Sequence, residues 1–229
     1  MVALAGGRIE AGVKVPAGRG SGIRWLLTAL LFSLSVIFLT IFQTSFTYGE
    51  LFNDPADVIG FNPFIGLVSM MGLFGWAAAA GVSFFTYAVI RQDGTAYLRR
   101  FFFAAGLFTL FLLTDDALML HEQVLPKDFG IRERYIKLAY LAVAGAFGIV
   151  FFRQLLGNSP AILIAAGLFF AASLVFDSPV VLTALGFFEA GFVLYVIEDG
   201  CKFTGIVLWL TWIFRTGLHS IKDRSSAVI

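Results

Sequence analysis

The chain is written in apolar blocks, and their length decides most of what it can become. Mainly hydrophobic stretches lie at about 24–46, 62–90, 99–122, 134–155, 161–176 and 181–214. A helix rises 1.5 Å per residue, so roughly twenty such residues cross a hydrocarbon core of about 30 Å. A water-soluble fold has no interior large enough for six of these blocks, with 59% of 229 residues hydrophobic and 27 Phe against 16 Lys+Arg and 15 Asp+Glu. The expected fold class is therefore all-α: a polytopic transmembrane helical bundle of about six spanning helices, with no separate soluble domain.

The segments around the blocks supply the expected domain limits. Residues 1–22 are Gly-rich, carry Arg8, Lys14 and Arg19, and lack helical apolar periodicity, which reads as a mobile basic tail. Residues 23–216 form the transmembrane domain and 217–229 a cytoplasmic C-terminal tail. The block 24–46 is too long for a signal h-region and has no small-residue cleavage site behind it, so it is read as the first spanning helix. Orientation follows from basic residues at helix ends. With the N-terminus inside, Arg8, Lys14, Arg19, Arg24, Arg91, Arg99, Arg100, Arg153, Arg215, Lys222 and Arg224 are cytoplasmic, while Lys127, Arg132, Arg134 and Lys137 are outside. Eleven against four places both termini in the cytoplasm. The outer segment 47–61, with Glu50, Asp54, Asp57 and no basic residue, agrees. A bacterial inner (plasma) membrane is the expected location.

Small residues four apart share a helix face and let backbones approach. Gly75 with Ala79, Ala77 with Gly81, and Ala144 with Gly148 are thus expected packing seams. Phe101 to Phe103 and Phe151 to Phe152 are expected to face lipid or fill gaps. The last block, 34 residues from Val181 to Phe214, would be about 51 Å long as one helix. It is read either as one long helix or as a helix broken near Gly200, as in many transporter sites.

Two blocks carry charges at bilayer depth: Asp115, Asp116, His121 and Glu122 on the third, and Glu189, Glu198, Asp199 and Lys202 on the sixth. Each such charge costs at least about 2.5–3.5 kcal/mol near the bilayer centre, so these groups are expected inside the bundle and paired. Counted from Arg99, Asp115 lies about 24 Å up the third helix and His121 about 33 Å; counted from Arg215, Glu198 lies about 26 Å up the sixth and Glu189 about 39 Å. Asp115, Asp116, Glu198 and Asp199 are therefore expected at one height, with His121, Glu122, Asp177 and Glu189 as an outer entrance.

On one regular helix, Asp115 and Glu122 share a face while Asp116 points about 100° away. Glu198 and Lys202 stand at i and i+4, the favourable order for an ion pair, and Tyr195, Gly205 and Trp209 extend that stripe. Four converging carboxylates against Lys202 leave about three negative charges, which protons or a bound cation must balance.

The chemistry expected is thus cation or proton binding and movement between the third and sixth helices, with Na⁺, Ca²⁺ or Mn²⁺ suiting oxygen ligands. One alternative is a membrane-embedded metal-dependent hydrolase of a lipid-like substrate, with Asp115, Asp116, His121 and Glu122 as metal ligands and a metal-bound water as nucleophile. Another is a non-catalytic accessory subunit of a membrane complex. Retinal bound at Lys202 fits poorly, because that lysine falls on the sixth helix rather than a seventh. The lone Cys201 rules out an intrachain disulfide and any multi-cysteine metal site. A net charge of +1 without a basic aromatic patch argues against nucleic acid. The expected partners are the lipid bilayer and a second copy or a larger membrane complex.

Overall fold

A computed structural model describes residues 19–53, 55–92, 94–157, 159–177 and 191–225; the side chains described are those of 26–47 and 49–222 within these ranges, from 196 onward in the last. Every regular element among the described residues is helical. Contacts divide the chain into two units, 1–65 and 66–229.

The first unit holds α1 (Arg19–Phe42), α2 (Tyr48–Phe52) and α3 (Pro55–Ile59). α1 is mainly apolar, and its large side chains, Leu31, Phe32 and Leu39 foremost, are exposed. The start of α2 follows from its sequence: Thr47 Oγ1 accepts from the Glu50 N–H at 3.3 Å, and Glu50 Oε2 accepts from the Thr47 N–H at 2.7 Å. This reciprocal capping box satisfies two donors that a helix start leaves free. The Thr47 hydroxyl and N–H hold the Glu50 carboxyl below its usual pKa.

The second unit holds α4 (Leu67–Ile90), α5 (Ala96–Leu118), a π turn (Leu120–Val124), α6 (Leu125–Phe129), α7 (Glu133–Gly157), α8 (Pro160–Phe176) and α9 (Gly191–Ser225). Among the described residues three helices, α4, α5 and α7, are long and apolar enough to cross a membrane. The apolar stretches Leu26–Phe42 and Pro160–Phe176 are shorter. α9 runs without interruption through Glu198, Asp199 and Gly200 and onward to Ser225, so the long-helix reading holds there and a break at Gly200 does not. Its 35 residues make about 52 Å of helix. Residues 181–190 of the last block, residues 1–18 of the N-terminal tail and 226–229 of the C-terminal one lie outside the described residues, while 217–225 continue α9.

α9 is the centre of this unit, packed along α4 on one side and α8 on another, and α4 packs in turn on α5. The close approaches fall at glycines. A Cβ at Gly75 would stand 2.7 Å from Ile206 Cγ2 on α9, and one at Gly205 would stand 2.8 Å from the Phe170 ring on α8. Gly75 and Ala79 therefore form the expected seam, Ala79 being fully buried. The other two expected seams meet no partner helix among the described residues. Ala77 and Gly81 are exposed, and nothing stands within 4 Å of a Cβ at Gly81 or Gly148. Spacing alone marks a face on which helices can meet; the side holding the larger apolar neighbours decides whether they do.

Aromatic rings fill the space between α5, α7 and α9. Phe101 and Phe102 are fully buried, while Phe103 and Phe152 face outward and Phe151 inward. Phe101 meets Trp212 edge to face at 6.0 Å, and Phe108 stacks on Phe147 at 5.0 Å. Trp209 Nε1 donates to Thr109 Oγ1 at 3.1 Å in full burial, a bond worth about 0.6 kcal/mol on average between membrane helices. Lys202, seven residues before Trp209, meets Asp116, seven residues after Thr109. The equal spacing fixes α5 and α9 as antiparallel, with contacts about 10.5 Å apart.

Replacing Gly75 by Val should lower the stability of the detergent-solubilised protein by about 1–3 kcal/mol through overpacking against Ile206, whereas Ala77→Val, on the outward face, should change it by less than about 0.5 kcal/mol; thermal unfolding of the two variants checks the difference.

Candidate functional site

The polar end of the bundle is built where α5 stops. α5 ends at Leu118, Met119 adopts a left-handed conformation (φ 51°, ψ 42°), and the chain re-enters as the π turn. A left-handed non-glycine residue costs about 1–2 kcal/mol, so surrounding contacts must hold it. Asp115 supplies them. Its Oδ1 accepts from the His121 backbone N–H at 3.0 Å and from the Tyr140 hydroxyl at 2.7 Å, and its Oδ2 lies 2.7 Å from His121 Nδ1. Asp115 is 5% exposed, and its bonds tie together α5, the π turn and α7.

His121 is thereby held between two acids, its Nε2 3.4 Å from Glu122 Oε1. With Nδ1 donating to Asp115, Nε2 becomes the nitrogen that gains and loses a proton. The Asp115 hydrogen bond raises the His121 pKa above its ordinary value; burial opposes this, the Asp115 and Glu122 charges add to it, and the Lys202 charge detracts from it.

Asp116, the next residue, points elsewhere and accepts from the Lys202 ammonium on α9. Asp116, Asp199, Lys202 and Ser69 line a small recess, open to the surface, whose walls include Val68, Phe203 and Ile206. Glu198 lies in the combined field of Asp177, Asp199, Glu122 and Lys202. Asp177, at the end of α8, accepts from Lys137 on α7, which also pairs with Glu133 at 2.7 Å.

The expected site is therefore rearranged. Asp115 meets His121 and Tyr140 rather than Asp116, Glu198 or Asp199. Lys202 reaches across to Asp116 instead of pairing with Glu198 on its own helix, and the α5 acids stand level with Lys202, one turn along α9 from Glu198. The cause is the turn at Met119. A regular helix through residue 122 would align Asp115 with Glu122, but the left-handed residue and the π turn bring His121 back over Asp115. For the same reason Asp115, Asp116, His121 and Glu122 do not gather on one ion, and among the described residues no group of three or more His, Cys, Asp and Glu side chains could hold a metal. His121, Glu122 and Asp177 lie at this end of the bundle. Glu189 lies outside the described residues, as does the Tyr195 side chain.

Tyr140 and Lys137 were not anticipated. Their signal is faint: polar groups one turn apart at the start of an otherwise apolar block. Nothing in the local pattern says that Tyr140 finds a carboxylate 25 residues away.

Residues 24–216 match the family model described as a domain of unknown function, DUF8692, and the chain belongs to that family. No curated protein and no solved structure matches the chain.

The Asp115–His121 contact should make stability depend on pH. A histidine whose folded pKa is raised contributes fully below its unfolded value of about 6.5, and the contribution is lost as pH rises through the folded value. The melting temperature should fall as pH rises above about 6.5 in the unsubstituted protein and change much less in His121→Gln.

Proposed function

We propose that this DUF8692 member is an integral membrane protein that takes up and passes protons, alone or with a cation, at the polar end formed by α5, the π turn, α7 and α9. In this reading the chain crosses a bacterial inner membrane six times, with both termini in the cytoplasm, α1, α8 and α9 adding to the three long apolar helices. The basic residues at one set of helix ends support that orientation.

The observation that carries the proposal is the hydrogen-bonded triad His121–Asp115–Tyr140 with the Glu122 carboxylate 3.4 Å from the free ring nitrogen of His121. Asp115 keeps a proton on Nδ1 and fixes the ring, Nε2 exchanges protons, and Glu122, 46% exposed at its side chain, connects that nitrogen with solvent. Such an arrangement gives a titrating group near neutral pH a fixed direction for transfer. Glu198 and Asp199, close to Lys202, are the acceptors on the α9 side.

Charge balance favours protons over a resident metal. The four-carboxylate cluster inferred from sequence needed an added cation, but here Asp116 is neutralised by Lys202 and Asp115 by protonated His121. Two of the four carboxylates are thus compensated from within the chain, and Glu198 shares the field of Lys202, which lessens the need for a bound ion. It also weakens the hydrolase reading, which needs a metal to activate water.

Reconstitution into liposomes enclosing a pH-sensitive dye tests the proposal. A pH gradient should collapse faster than in empty vesicles, His121→Gln should slow the flux at least about tenfold, as expected for losing a positioned acid–base group, and Glu122→Gln should slow it less. No proton flux in the unsubstituted protein under any imposed gradient or potential would leave the accessory-subunit reading in its place.

A further inference from the structure

The strip of α9 that carries Lys202 and Trp209 reaches, seven residues on, Thr216. The first two meet polar partners on α5, Asp116 and Thr109. The third is a fully buried hydroxyl, and Thr216 Oγ1 is the one buried side-chain polar atom among the described residues with no hydrogen-bond partner. A helical threonine usually donates to the carbonyl four residues back. Thr204 and Thr211 do so on this same helix, to Gly200 and Val207. Thr216 does not.

Its surroundings are polar in a specific way. The adjacent Gly217 lies against α4, where a Cβ would stand 2.7 Å from Thr86 Oγ1. Thr86, Ser83 and Ser220 are buried as well, and Ser220 donates to the Thr216 carbonyl. Buried hydroxyls of both helices thus lie along the seam where Gly217 of α9 meets Thr86 of α4, and Trp212, Ile213 and Ile90 near it in sequence are fully buried. Buried polar atoms without a protein partner are where internal water is found, given other polar groups to complete its bonds.

We propose that Thr216 binds an internal water molecule in the α4–α9 seam and that this water is a proton-transfer station between the Lys202–Asp116 pair and the opposite end of the bundle. Thr109 lies halfway, about 10.5 Å along α9 from each. The role in proton passage rests on the function proposed above; the water site rests on the buried hydroxyls alone.

Infrared difference spectra in H₂O, D₂O and H₂¹⁸O read the water, and liposome flux reads the station. An isotope-sensitive stretch of a weakly bonded internal water should be present in the unsubstituted protein and in Thr216→Ser, and absent in the near-isosteric Thr216→Val. Flux should drop several-fold in Thr216→Val and be retained in Thr216→Ser, with the pH dependence of melting set by His121 unchanged. A Thr216→Val protein that keeps the band, conducts normally and melts higher would overturn the proposal, because the hydroxyl would then be merely unsatisfied. Loss of the band with unaltered flux would overturn the station role. A band lost in Thr216→Val when even the unsubstituted protein conducts nothing would uphold the water site and sink the proton reading.

Discussion

The ion pair between Lys202 and Asp116 is the constraint on which the polar end of this unit depends. Neither charge is easily tolerated alone in an apolar block, and Asp116, 10% exposed at its side chain, would be left uncompensated if Lys202 were removed. The pair therefore commits α9 to face α5 at one height. The Trp209–Thr109 bond repeats the commitment seven residues further along each helix. Between them these contacts set the register, and ring packing of Phe101, Phe108 and Trp212 fills the space that the register leaves.

Once that register is set, the neighbouring Asp115 has no access to α9. Successive residues on a helix point about 100° apart, so α5 sends one carboxylate to α9 and the next to the π turn and α7. Two adjacent acids of one type thereby acquire different partners: a primary ammonium that stays charged over the physiological range, and an imidazole that does not. The division of roles is a product of helix geometry rather than of residue chemistry.

How much of this could be read beforehand depended on the range of the interaction. The helical blocks were legible because bilayer thickness imposes a length that propensity need not confirm, and the ends of α4, α5, α7 and α8 fall within a few residues of the apolar limits. That Asp115, Asp116, His121 and Lys202 would be paired was legible too, since charges in apolar blocks need partners. The partners themselves were not. The Glu198–Lys202 spacing favours a local ion pair, yet Lys202 pairs across 86 residues with Asp116. The left-handed Met119 carries no residue preference that would announce it, because methionine is not a turn former, and with it went the angular relation of Asp115 to His121 and Glu122. The Gly75 seam and the Ala144–Gly148 spacing look alike on paper; only the position of Ile206 separates a contact from an outward face.

α7 touches the rest of its unit through rings near its middle and through Tyr140 and Lys137 near its start, while Leu141, Ile149 and Val150 stay largely exposed. Among the described residues most of its perimeter is thus uncovered, open to acyl chains where the helix crosses a membrane. A helix so placed takes its tilt from the thickness and lateral pressure of the surrounding lipid as much as from protein contacts. The phenol–carboxylate bond at its head is where a change in bilayer composition would first be felt, so the lipid itself becomes a participant in how firmly the Asp115 site is closed.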